Sequence, residues 1–251
     1  YKQQEKKRLS KRTRVSLFLL LVAIPLTIAA GFWLTDQSAL ADWIDRVFGP
    51  RKYYLISLVI VLYALLPFFM AFEGRKPEVR ELVVLATMIA LATAGRAAFF
   101  MTPSFKPIIA IVIISAIAFG AEAGFLVGSM TMLVSNFLFG QGPWTPWQMF
   151  AMGFIGFLSG ILYRLRILPT KRLQLSVYGF LVTFMIYGGI MNPAALFMSV
   201  YQFSWSGLLA IYISGVPVDL VHASSTFLFL WIGAKPLLEK LQRIKVKYGL
   251  L

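Results

Sequence analysis

The sequence predicts an all-α polytopic membrane protein of eight spans. Three observations lead there. The 251 residues are 59% hydrophobic and only 14% charged, and the mean hydropathy is +0.78, well outside the range of a soluble domain. The apolar residues come in continuous runs of membrane-crossing length, which selects helices over a β-barrel. The basic residues cluster in the breaks between those runs.

Several function classes fall away on composition. A net charge of +14 would suit a nucleic-acid partner in a soluble protein, but positives lodged between apolar spans are the positive-inside pattern instead. With no cysteine in the chain, disulfides, thiolate metal sites and a cysteine nucleophile are excluded. A single histidine is too few for the zinc site of an intramembrane metalloprotease. There is no Walker motif, so the chain itself hydrolyses no nucleotide. Nor does a ladder of acids cross the spans, as an ion-coupled pump requires. No enzyme activity, cofactor or metal is expected.

Residues 1–14 form a basic leader carrying Lys2, Lys6, Lys7, Arg8, Lys11, Arg12 and Arg14. The apolar run 15–34 is long enough to cross and shows no small-residue cleavage site, so it reads as a retained first span. The loop 35–52 sets Asp36, Asp42 and Asp45 against Arg46, Arg51 and Lys52. Residues 53–72 form a second span with aromatic ends and Pro67 as a kink. These two spans occupy 15–72; the remaining six, called the core below, lie in 81–248.

The core opens with 81–101, where Ala86, Ala90, Ala94 and Ala98 recur every four residues and so share one helix face. Small side chains at that spacing let backbones approach closely in lipid, either within the bundle or against a partner. Arg96 lies near the far end of the same helix. Residues 107–119 and 121–139 are two spans broken at Gly120, with Lys106 at the interface, and Glu122 suits a helix N-terminus. Gly124 and Gly128 repeat the close-approach spacing, and Asn136 is a lone amide near the opposite end. The loop GQGPWTPWQM, 140–149, presents Trp144, Trp147 and Gln148, either as an interfacial aromatic belt or as a lid over a ligand.

A glycine-rich span, 150–163, ends in RLRILPTKR, and 173–189 spans again. Residues 191–213 are broken by Asn192–Pro193 and dotted with Tyr201, Gln202 and Trp205; they are expected at the outer surface or as a helix extension. The last span, SGVPVDLVHASSTFLFLWIG at 214–233, is opened by Gly215 and Pro217. Its Asp219 and His222 are three residues apart and share a face, with Thr226 four further on. Ionisable groups at this depth face a bundle interior or a cavity. The pair either ties two helices together or forms part of a substrate site. A basic tail, 235–247, follows.

Placing the leader, 73–80, 164–172 and the tail on one side collects most of the 24 Lys and Arg residues there. Both termini are then cytoplasmic in a multi-pass cell-membrane protein. Arg96, Asn136, Trp144, Trp147, Gln148, Asn192, Tyr201, Asp219 and His222 fall in the outer half and are the expected ligand-binding residues. Few charges, several amides and many aromatics suit a large, mostly neutral ligand with polar edges.

The stretch SGVPVDLVHASSTFLFLWIGAKP, followed by LLEKLQRIKVKYG, resembles the closing segment of the S components of energy-coupling factor (ECF) vitamin transporters. The stripe Ala86, Ala90, Ala94 and Ala98 resembles the AxxxA surface that docks such subunits on the shared transmembrane coupling subunit. GPWTPWQMFAMGFIGFLSG is similar as well. The resemblance covers 81–248, roughly two thirds of the chain. It implies a six-helix core that binds a vitamin from outside, with uptake driven by the coupling subunit and two separate ATPase subunits. The spans in 15–72 depart from that plan. Residues 192–213 and the aromatic outer loops most resemble the cobalamin-type members, so cobalamin or a related corrinoid is the expected cargo. Another vitamin or precursor (a queuosine precursor, pantothenate) is the alternative, as is a stand-alone secondary carrier.

Overall fold

The computed structural model describes residues 78–199 and 204–249, together with the isolated residues Arg46, Leu58, Val59, Val61, Leu62, Leu65, Phe69 and Phe72. The remainder of the two additional spans, and Tyr201, lie outside the described residues. The described chain is all helix: α1 (Val79–Ala98), α2 (Ile108–Phe119), α3 (Ala121–Phe139), α4 (Thr145–Arg164), α5 (Arg172–Val182), a π-helical turn (Thr183–Tyr187), α6 (Gly188–Ser199) and α7 (Trp205–Tyr248). By length and composition α1, α3, α4, the continuous stretch Arg172–Ser199 and α7 can each cross a membrane.

The short helix α2 is the centre of the bundle. Its 12 residues rise only about 18 Å, less than the hydrocarbon core, and every one except Ala118 is buried. A helix apolar on all sides belongs in such an enclosed position, and α2 packs against α1, α3, α4 and α7. Gly120, at φ 97°, takes a conformation that costs glycine little, so the chain reverses from α2 into α3 over one residue.

The most extensive contact is between α3 and α4, and its closeness is a glycine effect. A Cβ added at Gly128 would strike the Met152 carbonyl, and one at Gly156 would strike the Gly124 carbonyl. The seam expected from the glycine spacing therefore brings two backbones together. Phe119, Phe125, Phe157, Ile109, Ile113 and Ile155 fill the fully buried core around it. Leu65 and Phe72 join the same core, and Phe69 meets Phe125 edge-on at 6.0 Å.

Two boundaries differ from the sequence reading. The span expected to end at 189 continues through the π turn to Ser199; of the two expectations for 191–213 the helix extension is the one that forms, shared between the end of one helix and the start of the next. Pro217 does not open the last helix; α7 begins at Trp205, where Ser204 Oγ accepts from the Gly207 amide at 3.1 Å. The capping serine outweighs the proline, which removes one backbone hydrogen bond without ending a helix held by its neighbours. At 44 residues α7 runs to about 66 Å, longer than a bilayer is thick, so it projects beyond the apolar layer.

Ala86, Ala90, Ala94 and Ala98 are all exposed. The opposite face of α1 is the one that packs inward, burying Glu81, Leu85, Met88, Ala92 and Thr93. The stripe is an outward surface, not a seam between described helices.

Candidate functional site

Because successive helices alternate in direction, the ends of α1, α3 and α6 meet the starts of α2, α4 and α7 at one end of the bundle. Most of the polar side chains expected to bind ligand gather there. Arg96 occupies the last turn of α1; its Nη1 donates to Ser135 Oγ at 2.5 Å and to Asn136 Oδ1 at 2.6 Å. Its guanidinium also lies 5.1 Å from the Phe139 ring centre. Asn136, completely buried, is the hub. Its Nδ2 donates to Thr145 Oγ1 and Gln148 Oε1, both at 2.9 Å, so one amide joins α1, α3 and α4.

The preceding loop is tied to this hub. Thr145 Oγ1 donates to Gln141 Oε1 at 2.9 Å, and Gln141 Nε2 donates to the Leu133 carbonyl at 3.0 Å. On the far side Gln148 lies close to Tyr187, and Tyr187 packs edge-on against His222 with ring centres 4.7 Å apart. The π turn sets Tyr187 here, and one turn below Thr183 Oγ1 donates to Thr226 Oγ1 at 3.0 Å. Thr226 thus fastens α7 to the π turn.

Asn192 and Asp219 form a second polar link. Asn192 Nδ2 donates to Asp219 Oδ2 at 2.8 Å, and Tyr212 Oη donates to the Gly189 carbonyl at 2.9 Å. Glycine makes the approach possible: a Cβ at Gly188 would come within 2.6 Å of Asp219 Oδ2. Asp219 and His222 hold different partners. Both face the α5–α6 path, but Asp219 is taken by Asn192 and His222 by the face-to-edge contact with Tyr187.

Among the described residues, three buried polar atoms have no hydrogen-bond partner, all at this end: Thr93 Oγ1, Trp147 Nε1 and His222 Nε2. Thr93 is one turn before Arg96, Trp147 lies between the hub's partners Thr145 and Gln148, and His222 abuts Tyr187. Buried unpaired groups each cost about 1–3 kcal/mol, and native proteins keep few of them. Trp147 is stacked on Phe197 at 6.3 Å in an apolar cluster with Val61 and Ala194. Trp144 is partly exposed and lies over Gly142 at the start of α4.

The structure therefore brings together Arg96, Asn136, Gln148, Trp147 and His222, and sets Asn192 with Asp219 beside them on α6 and α7. Ser135, Thr145 and Tyr187 belong to the same network and went unnoticed in the sequence. Ser135 and Thr145 are small polar residues adjoining expected ones, so neighbourhood was an available signal. Tyr187 had none, because the π turn changes the face that a regular helix would assign to it. Chemically the ensemble offers donors, acceptors and aromatic faces for holding a molecule.

The family model for the ECF-type riboflavin transporter, S component, matches residues 76–243. No curated protein and no solved structure matches the chain. The matched stretch takes in every described helix from α1 to the basic end of α7, more than half of the sequence, so the chain belongs to the S-component family of ECF-type transporters, vitamin-carrying membrane subunits and not enzymes.

Proposed function

We propose that the Arg96–Asn136–Gln148 end of the bundle is the vitamin site, open to the outside, and that the cargo is cobalamin or a related corrinoid. The observation that carries this reading is the gathering of three amide side chains at this end, Asn136 on Arg96, Gln148 on Asn136 and Asn192 on Asp219. A corrinoid is a broad ring rimmed by amides, and amide–amide pairs recognise such a rim with little net charge. Trp144 and Trp147 supply aromatic faces beside it, and the unpaired Trp147 Nε1 and His222 Nε2 are available to it.

A second reading has its own support: the family description names riboflavin. An isoalloxazine ring has an imide edge that Asn136 and Gln148 could hold, and its face would suit Tyr187 or Trp147. In either case the exposed Ala86–Ala98 stripe is the docking surface for the coupling subunit, which links the chain to two ATPases. The positive-inside pattern favours cytoplasmic termini.

Growth rescue distinguishes the cargoes. Co-expressed with coupling and ATPase subunits, the chain is expected to restore uptake to a cobalamin auxotroph lacking its own importer, and Asn136→Ala to abolish the rescue. Rescue of a riboflavin auxotroph alone would transfer the site to riboflavin.

A further inference from the structure

On the outside of the bundle α5 and α7 run antiparallel, and Gly179 brings them together: a Cβ there would strike Leu230 and Thr226. Beside this contact the two helices leave an open groove of about 370 Å³, lined by Val177, Phe180, Leu181, Ser224 and Phe227. Both helices belong to stretches able to cross a membrane, and Val177, Leu181 and Ser224 are exposed. The groove therefore opens towards lipid.

At its basic end the groove runs into an aromatic step under a cation. Phe227 stacks on Trp231 with ring centres 5.9 Å apart, and the Arg172 guanidinium lies 5.6 Å from the Trp231 ring centre. Lys171 is adjacent, and the first turn of α5 contains no acid. Among the described residues neither Arg172 nor Lys171 has an acidic partner. Counted along α5, Val177 to Leu181 lie about 8–14 Å from Arg172; counted along α7, Phe227 and Ser224 lie about 6–11 Å from Trp231. Both helices thus give the same order, a cation where the apolar stretch ends and an apolar channel immediately below it. Headgroup and acyl chain are stacked in that order in a bilayer leaflet.

Ser224 is an independent observation. Serine hydroxyls elsewhere in the bundle donate to the carbonyl four residues back, as Ser115, Ser129, Ser159 and Ser176 do. Ser224 has no hydrogen-bond partner among the described residues, and it lines the groove. In hydrocarbon an unmet hydroxyl is costly, so this position calls for an acceptor on whatever fills the groove. The ester carbonyl of a diacyl lipid is one. An apolar protein helix would fill the channel but bring no anion to Arg172, and a zwitterionic lipid carries its own cation beside its phosphate.

We propose that the α5–α7 groove holds one acyl chain of an anionic glycerophospholipid whose phosphate rests on Arg172 and Lys171. The site lies towards the basic end of the bundle, away from the Asn136 network, and does not depend on which vitamin is carried.

The test weighs the full chain, purified in detergent, by native mass spectrometry after addition of dioleoylphosphatidylglycerol or dioleoylphosphatidylcholine, which have the same chains. The first phosphatidylglycerol adduct is expected at a concentration at least about fivefold lower, the size of one surface cation acting on an anionic headgroup. Arg172→Gln is expected to remove that preference. Val177→Trp, which fills the groove, is expected to weaken binding of both lipids; Leu181→Trp does the same should Val177→Trp unfold at a lower temperature. Lys247→Gln is the control, at the same end but about 24 Å further along α7 than Trp231, and should keep the preference. Equal binding of the two lipids, or a preference that survives Arg172→Gln, would overturn the site. A preference lost equally in Lys247→Gln would also overturn it, since a basic end attracts anionic lipid without any groove. Phosphatidylglycerol binding unchanged in both groove-filling variants would place the lipid elsewhere. A lipid-free dimer that Val177→Trp splits would mean a second copy covers the groove, and that outcome contradicts the proposal as well.

Discussion

Asn136 shows how a single side chain can hold an end of a membrane bundle together. Its carbonyl receives Arg96 and its amide supplies Thr145 and Gln148, all in an environment where an unmet hydrogen bond is not replaced by water. Asn136→Ala should lower stability by about 1–3 kcal/mol, read as thermal unfolding in detergent, and remove ligand binding with it. Asp219 makes a narrower test. Asp219→Asn retains an acceptor for Asn192 and should unfold at nearly the native temperature. Asp219→Ala leaves the Asn192 amide unpaired and should cost about 0.5–1.5 kcal/mol; equal unfolding temperatures for the two variants would mean the link contributes nothing. At this scale the sequence was informative about which residues are polar where polarity is expensive, since Arg96, Asn136 and His222 stand out from apolar runs. It was silent about pairing. Three-residue spacing put Asp219 and His222 on one face, but a shared face does not choose between a neighbour on the same helix and a better-placed amide across the interface.

The helices were legible where a breaker and a cap agree. Gly120 separates α2 from α3, and the glycine spacing of α3 and α4 announces their seam. Gly156→Val should therefore cost roughly 1–3 kcal/mol or more, whereas Gly233→Ala, with open space around the added Cβ, should fall within about 0.5 kcal/mol of native. Comparing their unfolding temperatures checks the seam. Legibility failed where signals conflict. Pro217 and Asn192–Pro193 looked like helix ends, yet a capped start at Ser204 and the neighbours of α6 keep the backbone helical through both. The π turn at Thr183–Tyr187 has no sequence mark at all. The alanine stripe could be read from its spacing, but only the fold shows which way it faces. Since Ala86 and Ala90 are exposed, Ala86→Trp or Ala90→Trp should leave folding and vitamin binding unchanged and abolish transport by the complete importer. Parallel loss of binding and transport would contradict a docking role.

Over the whole molecule, the polar network gathers where the helix ends converge, while the basic residues of 164–172 and 235–247 mark the opposite end. Burial follows the same division, with α2 enclosed at the centre and α1 presenting a smooth alanine face outward. A subunit that captures cargo at one end and is moved by a partner along its side calls for that arrangement. The central claim is that the Asn136 network binds one vitamin, and native mass spectrometry addresses it most directly. The purified chain would be exposed to an equimolar mixture of cobalamin and riboflavin, and the bound species weighed. One cobalamin per chain, absent in Asn136→Ala, is the predicted result. No adduct with either vitamin, or an adduct that persists in Asn136→Ala, would contradict the assignment of this site.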